Sequence, residues 1–172
     1  MSRTSALEKR LAPYWKMEAG SAVLIPVVMW WLAEGRLGWA TILALPAMVF
    51  MLLVGALYWW AKLRQLRGET SALPESLSLI SRVQTPILLL TGAAVTSAAS
   101  AWLFPEFAIG QPDRWCATAA AVLAVLEYVN YYHRQLQHFD HAADFRRLLS
   151  GRGFRRAQMR QDLDRWRARS GA

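Results

Sequence analysis

The sequence predicts an all-α integral membrane protein: a four-helix transmembrane bundle with amphipathic cytoplasmic helices at both ends. Three observations carry that expectation. Four long apolar stretches lie between residues 21 and 132 of a 172-residue chain that is 55% hydrophobic. Polar and apolar residues are segregated into blocks, whereas a soluble domain mixes them with the period of its elements. Lys and Arg fall almost entirely on one side of the stretches, and Trp and Tyr gather at their ends, as anchors at headgroup level do.

Residues 1–18 are expected to form a cytoplasmic amphipathic arm. Ser5 and Glu8 have capping-box spacing, and Leu7, Leu11, Tyr14 and Trp15 recur at helical intervals around Pro13. The bundle occupies 19–132, with spans at about 19–33, 37–61, 85–104 and 115–132. The first is short for a hydrocarbon core of about 30 Å, which takes about 20 helical residues, so Tyr14, Trp15 or local thinning must complete it. Gly35 and Gly38 mark a tight turn that folds spans one and two into an antiparallel hairpin. Pro26 and Pro46 lie inside apolar runs, where each removes a backbone hydrogen bond and kinks its helix.

The cytoplasmic loop 62–84 contains Pro74 and Glu75, a helix-start signal, and predicts a short interfacial helix before span three. Pro86 suits the first turn of that span. Pro105, Gly110 and Pro112 make a turn before span four. With no breaker before Gly151, the helix of span four is expected to continue to about residue 149. A basic helix at about 154–168 completes a helical tail over 133–172.

The charge count gives the orientation. Eighteen of the twenty Lys and Arg residues lie in the arm, the middle loop or the tail, and only Arg36 and Arg114 lie in the other two loops. Both ends are therefore expected in the cytoplasm, in a bacterial inner membrane. Trp30, Trp31, Trp39, Trp102 and Trp115 would mark the outer interface. Trp15, Tyr58, Trp59, Trp60, Tyr131 and Tyr132 would mark the inner one. The first apolar run lacks a cleavage pattern and is expected to remain. The single cysteine, Cys116, excludes an internal disulfide framework and a cysteine zinc cage, and is expected near the outer face, where a membrane-impermeant thiol reagent tests the orientation unless burial blocks it.

Span three is crowded with small residues. Gly92, Thr96 and Ser100 recur every four residues, as do Ala93, Ser97 and Ala101, and Ala117, Ala120, Ala121 and Ala124 answer on span four. Such faces let two helices approach closely, so the two spans are expected to pack as a pair; the same faces would also suit a homo-oligomer.

Glu127 is the one acid inside a span, and ionisable groups there raise a functional hypothesis. With Asn130, Arg134, Thr91 and Tyr58 it forms the candidate ion or polar site. On a continuing helix, Tyr131, Arg134, His138 and His141 share its face. His138 and His141 are weak metal candidates, three residues apart with no partner ligand on another segment, and no metal or other cofactor is expected.

The tail gathers Arg146, Arg147, Arg152, Arg155, Arg156 and Arg160 with Trp166. A basic amphipathic segment beside a span is drawn to membrane lipids through anionic headgroups at the cytoplasmic face, at about 1 kcal/mol per basic residue. A cytoplasmic protein is the next expected partner, and nucleic acid the least expected. The chain holds no HExxH, nucleophile motif or phosphate-binding glycine loop. The function expected is non-enzymatic: a scaffold or accessory subunit acting through its bundle and basic tail. The alternative is a small oligomeric ion or proton channel, or a transporter, that uses Glu127.

Overall fold

The computed structural model describes residues 3–136 and 153–171. Their regular structure is helical: α1 (Arg3–Leu32), α2 (Trp39–Leu66), α3 (Ala72–Leu103), a single 3-10 turn (Pro105–Phe107), α4 (Gln111–Tyr132) and α5 (Gln158–Ser170). The chain packs as two compact units, Met1–Val125 and Leu126–Ala172, with the division inside α4.

In the first unit, α1, α2 and α3 hold 30, 28 and 32 residues. At about 1.5 Å per residue each exceeds the roughly 30 Å of a hydrocarbon core. Two sequence expectations are corrected here. The arm and span one form one helix that runs through Pro13 and Pro26. The interfacial helix and span three are likewise one helix, with Pro86 in its interior. A proline removes one helical hydrogen bond, and packing along a long helix offsets that loss. The arm packs along α2: Tyr14 stacks on Trp59 at 5.4 Å, and Glu8 binds Arg67 at 2.5 Å. Ser5 falls inside α1, so Ser5 and Glu8 are not its cap.

The core of this unit is built from alanine. Ala40, Ala44 and Ala47 of α2 meet Ala94, Ala98 and Ala101 of α3 and Ala117, Ala120 and Ala124 of α4 in one buried cluster, with Met29 and Met48 filling gaps. Methyl-sized side chains bring helix backbones close, and dispersion and short hydrogen bonds then hold them. Ser97 donates to the Ala40 carbonyl at 2.9 Å. The Trp102 indole donates to the Thr118 hydroxyl at 2.9 Å, which in turn donates to the Arg114 carbonyl at 2.7 Å.

Of the two expected small-residue repeats, α3 buries Ser97 and Ala101 of the second, together with Ala94 and Ala98, and turns the first outward. Gly92 and Thr96 are exposed and Ser100 is half-buried. The Thr96 hydroxyl turns back to the Gly92 carbonyl at 3.0 Å. A strict four-residue repeat drifts about 40° per step around a helix of 3.6 residues per turn, whereas 94, 98 and 101 alternate four and three and hold one face. Ala98→Ile is therefore expected to destabilise the bundle by about 1–3 kcal/mol through overpacking. Thr96→Ile should stay within about 0.5 kcal/mol. Thermal unfolding in detergent checks both, and equal losses would contradict this packing.

Among the described residues, two helices, α2 and α3, are long and apolar enough to cross a membrane. Lys16 and Glu18 dilute the apolar run of α1, and Glu127 and Asn130 that of α4.

The second unit holds the end of α4 and the tail. The expected continuation of α4 to residue 149 is corrected: the helix stops at Tyr132. The Val129 carbonyl accepts N–H groups from both His133 and Arg134, at 3.0 and 2.8 Å, and the Asn130 side chain accepts from the Leu136 N–H at 2.9 Å. These bonds close the last turn without a glycine or proline. The chain then pairs with the tail: Gln135 N–H donates to the Arg155 carbonyl at 2.9 Å, and Ala157 N–H to that of His133 at 3.1 Å. In α5, Met159 and Leu163 are buried and Trp166 is half-buried. Three aromatics assigned to the inner interface, Tyr58, Tyr131 and Tyr132, are buried instead.

Candidate functional site

The most highly organised polar group is one that sequence reasoning missed. α2 begins after Gly38, which has no side chain to bond the free N–H groups of its first turn. Asp113, in the first turn of α4, fills that role from a distance. Its Oδ1 accepts the N–H groups of Gly38 at 3.0 Å and Thr41 at 3.2 Å, and the Thr41 hydroxyl at 2.6 Å. Its Oδ2 accepts the Ile109 N–H at 3.2 Å. The Thr41 hydroxyl also lies 2.9 Å from the Asp113 carbonyl. The carboxylate is 2% exposed and sits at the positive end of the α2 dipole, where charge-assisted bonds are strong.

This arrangement dictates glycine at 38. A Cβ there would overlap the Asp113 carboxylate and lie 2.6 Å from Ile109 Cγ1. The backbone φ of Gly38 is −82°, so space and not torsion is what excludes a side chain. In the sequence Asp113 reads as an ordinary first-turn acid after Pro112, because its partners at 38 and 41 are remote. Chemically, the group is a latch between the start of α2 and the start of α4.

Cys116, one turn further along α4, is buried with its Sγ 3.7 Å from the Met29 carbonyl. This burial shields the thiol from an external reagent, so labelling of Cys116 does not report the orientation.

Glu127 is half-buried, and Asn130 Nδ2 donates to its Oε2 at a long 3.5 Å. The Asn130 oxygen is occupied by the Leu136 N–H, which orients the amide nitrogen toward Glu127. Arg134 is drawn from the candidate site: it lies beyond the end of α4, off the helical face of Glu127, and its Nη1 donates to the Phe154 carbonyl at 3.2 Å. Thr91 donates to Ile87 of its own helix at 2.8 Å, and Tyr58 is fully buried in α2. Glu127 and Asn130 are thus joined by a side-chain hydrogen bond.

Among the described residues, no group of three His, Cys, Asp or Glu side chains could hold a metal ion. The weak metal candidates His138 and His141 lie outside the described residues, as do Arg146, Arg147 and Arg152. Within the described tail, Arg156 and Arg160 both pair with Asp164, the second at 3.2 Å. Arg165 lies 3.7 Å from the buried Asp162, and Arg155 is exposed. Part of the tail's positive charge is therefore spent within the tail.

Compared with protein-family models, with curated proteins and with solved structures, the chain matches none of them.

Proposed function

We propose that the chain is a four-span inner-membrane protein with both ends in the cytoplasm, acting without catalysis as a scaffold or accessory subunit. One observation carries the membrane part. Large apolar side chains stand exposed on all four helices of the first unit, among them Leu24 and Val27 of α1, Leu43 of α2, Leu89 of α3, and Trp115 and Val122 of α4. Water does not leave so much apolar surface uncovered, and lipid is the solvent that suits it. The scaffold part rests on the buried polar groups. Asp113, Thr41 and Ser97 are satisfied by each other and by backbone, which suits a packing role.

The tail is the surface offered to partners. The apolar residues Met159 and Leu163 are already buried, which leaves the arginine side of α5 for anionic headgroups or a cytoplasmic protein. The outward Gly92 and Thr96 would suit close approach of a second copy.

Reporter fusions test the topology. Fluorescent-protein fusions after Gly68 and after Ala172 should fluoresce, and alkaline phosphatase fused after Gly35 or Gly110 should be active. Active phosphatase after Gly68 would refute this orientation. A flux assay tests the function: the chain in liposomes should pass no more protons than empty vesicles. Flux that Glu127→Gln abolishes would replace the scaffold reading with the channel.

A further inference from the structure

An apolar groove of about 320 Å³ runs along the first unit between α2 and α3. Phe50, Leu53 and Leu57 form one wall, and Leu79, Val83 and Leu90 the other. Leu79 and Leu90 are eleven residues apart, about 16 Å along the helix, which is close to the depth of one leaflet in a core of about 30 Å. Pro86 also lines the groove, and its missing N–H leaves the Arg82 carbonyl without its helical donor.

Charge is arranged at one end. Arg64 lies one turn beyond Ala61 on the groove side of α2, but it is bound to Glu69 and covers the Trp60 ring at 4.6 Å. The hydrogen bond it donates to the Glu69 carboxylate holds its guanidinium pKa above the ordinary value. Arg82 sits on α3 beside the Pro86 edge of the groove. It is exposed and makes no ion pair among the described residues. An acyl-lined slot that runs about 12 Å along α3 from the level of Arg82 to Leu90, with that uncommitted cation on its edge, matches an anionic phospholipid.

We infer that this groove is a specific site for one anionic phospholipid of the cytoplasmic leaflet, its acyl chain between α2 and α3 and its headgroup at Arg82. The inference rests on the membrane reading above. It assigns one lipid to one place, whereas the rest of the apolar surface meets lipid without selection.

Photoreactive phosphatidylglycerol, with the reactive group in its acyl chain, tests the site on the full chain in nanodiscs. Crosslinks should concentrate on peptides containing residues 50–57 and 79–90. Val83→Trp should fill the groove and remove them, whereas Val27→Trp on the exposed face of α1 should not. Arg82→Gln should lower the preference for phosphatidylglycerol over phosphatidylcholine roughly fivefold, the worth of one basic residue at an anionic surface. Crosslinks spread evenly over all helices, a Val83→Trp chain labelled like the parent, or a second copy of the chain captured in the groove would overturn the site. An alkaline wash of the source membranes separates the two readings: release of the chain would defeat the membrane reading, and retention without selective labelling would defeat the groove alone.

Discussion

Asp113→Ala is expected to destabilise the bundle by about 3–6 kcal/mol. The substitution strips the acceptor from three backbone N–H groups, those of Gly38, Thr41 and Ile109, in a place where the parent carboxylate is 2% exposed. A buried donor left without a partner costs about 1–3 kcal/mol. Asp113→Asn keeps one acceptor oxygen and sets an amide against a backbone donor, so its loss should be smaller, at about 2 kcal/mol. Thermal or denaturant unfolding in detergent measures both. A melting temperature for Asp113→Ala equal to the parent's would show that the latch carries no weight.

Gly38→Ala should cost about 1–3 kcal/mol or more, through overlap with the same carboxylate and with Ile109. In most proteins an alanine at this φ would be tolerated, so the sign of the effect is diagnostic. The two penalties should not add. With Asp113 already alanine, the carboxylate overlap is gone and the approach to Ile109 Cγ1 at 2.6 Å remains, so Gly38→Ala should cost less than it does in the parent. Such a coupling is what residues in direct contact show. Full additivity would contradict the geometry of the latch.

The helical class was legible because it depends on local features. Long apolar blocks with helix-breaking residues confined to their ends and a few interior prolines report helices without reference to any distant partner. Boundaries were less legible where a distant partner intervenes. Glu8 has a plausible local partner in Ser5, yet it bonds Arg67, fifty-nine residues away. The end of α4 carries no breaker and is set by the Asn130 side chain and by strand-like pairing with the tail. That ending removes Arg134 from the helical face of Glu127.

For this protein, sequence alone determined the helical class, the block pattern and the lopsided charge, because each follows from solvent preference and from period. Tertiary structure decided which small residues of α3 are buried, that α1 is one helix, and that Asp113 caps α2 across seventy-five residues. The physical reason is the same in each case. Burial and hydrogen-bond satisfaction are properties of the packed set, and nothing in the composition near residue 113 reports where the unsatisfied N–H groups of another helix will lie.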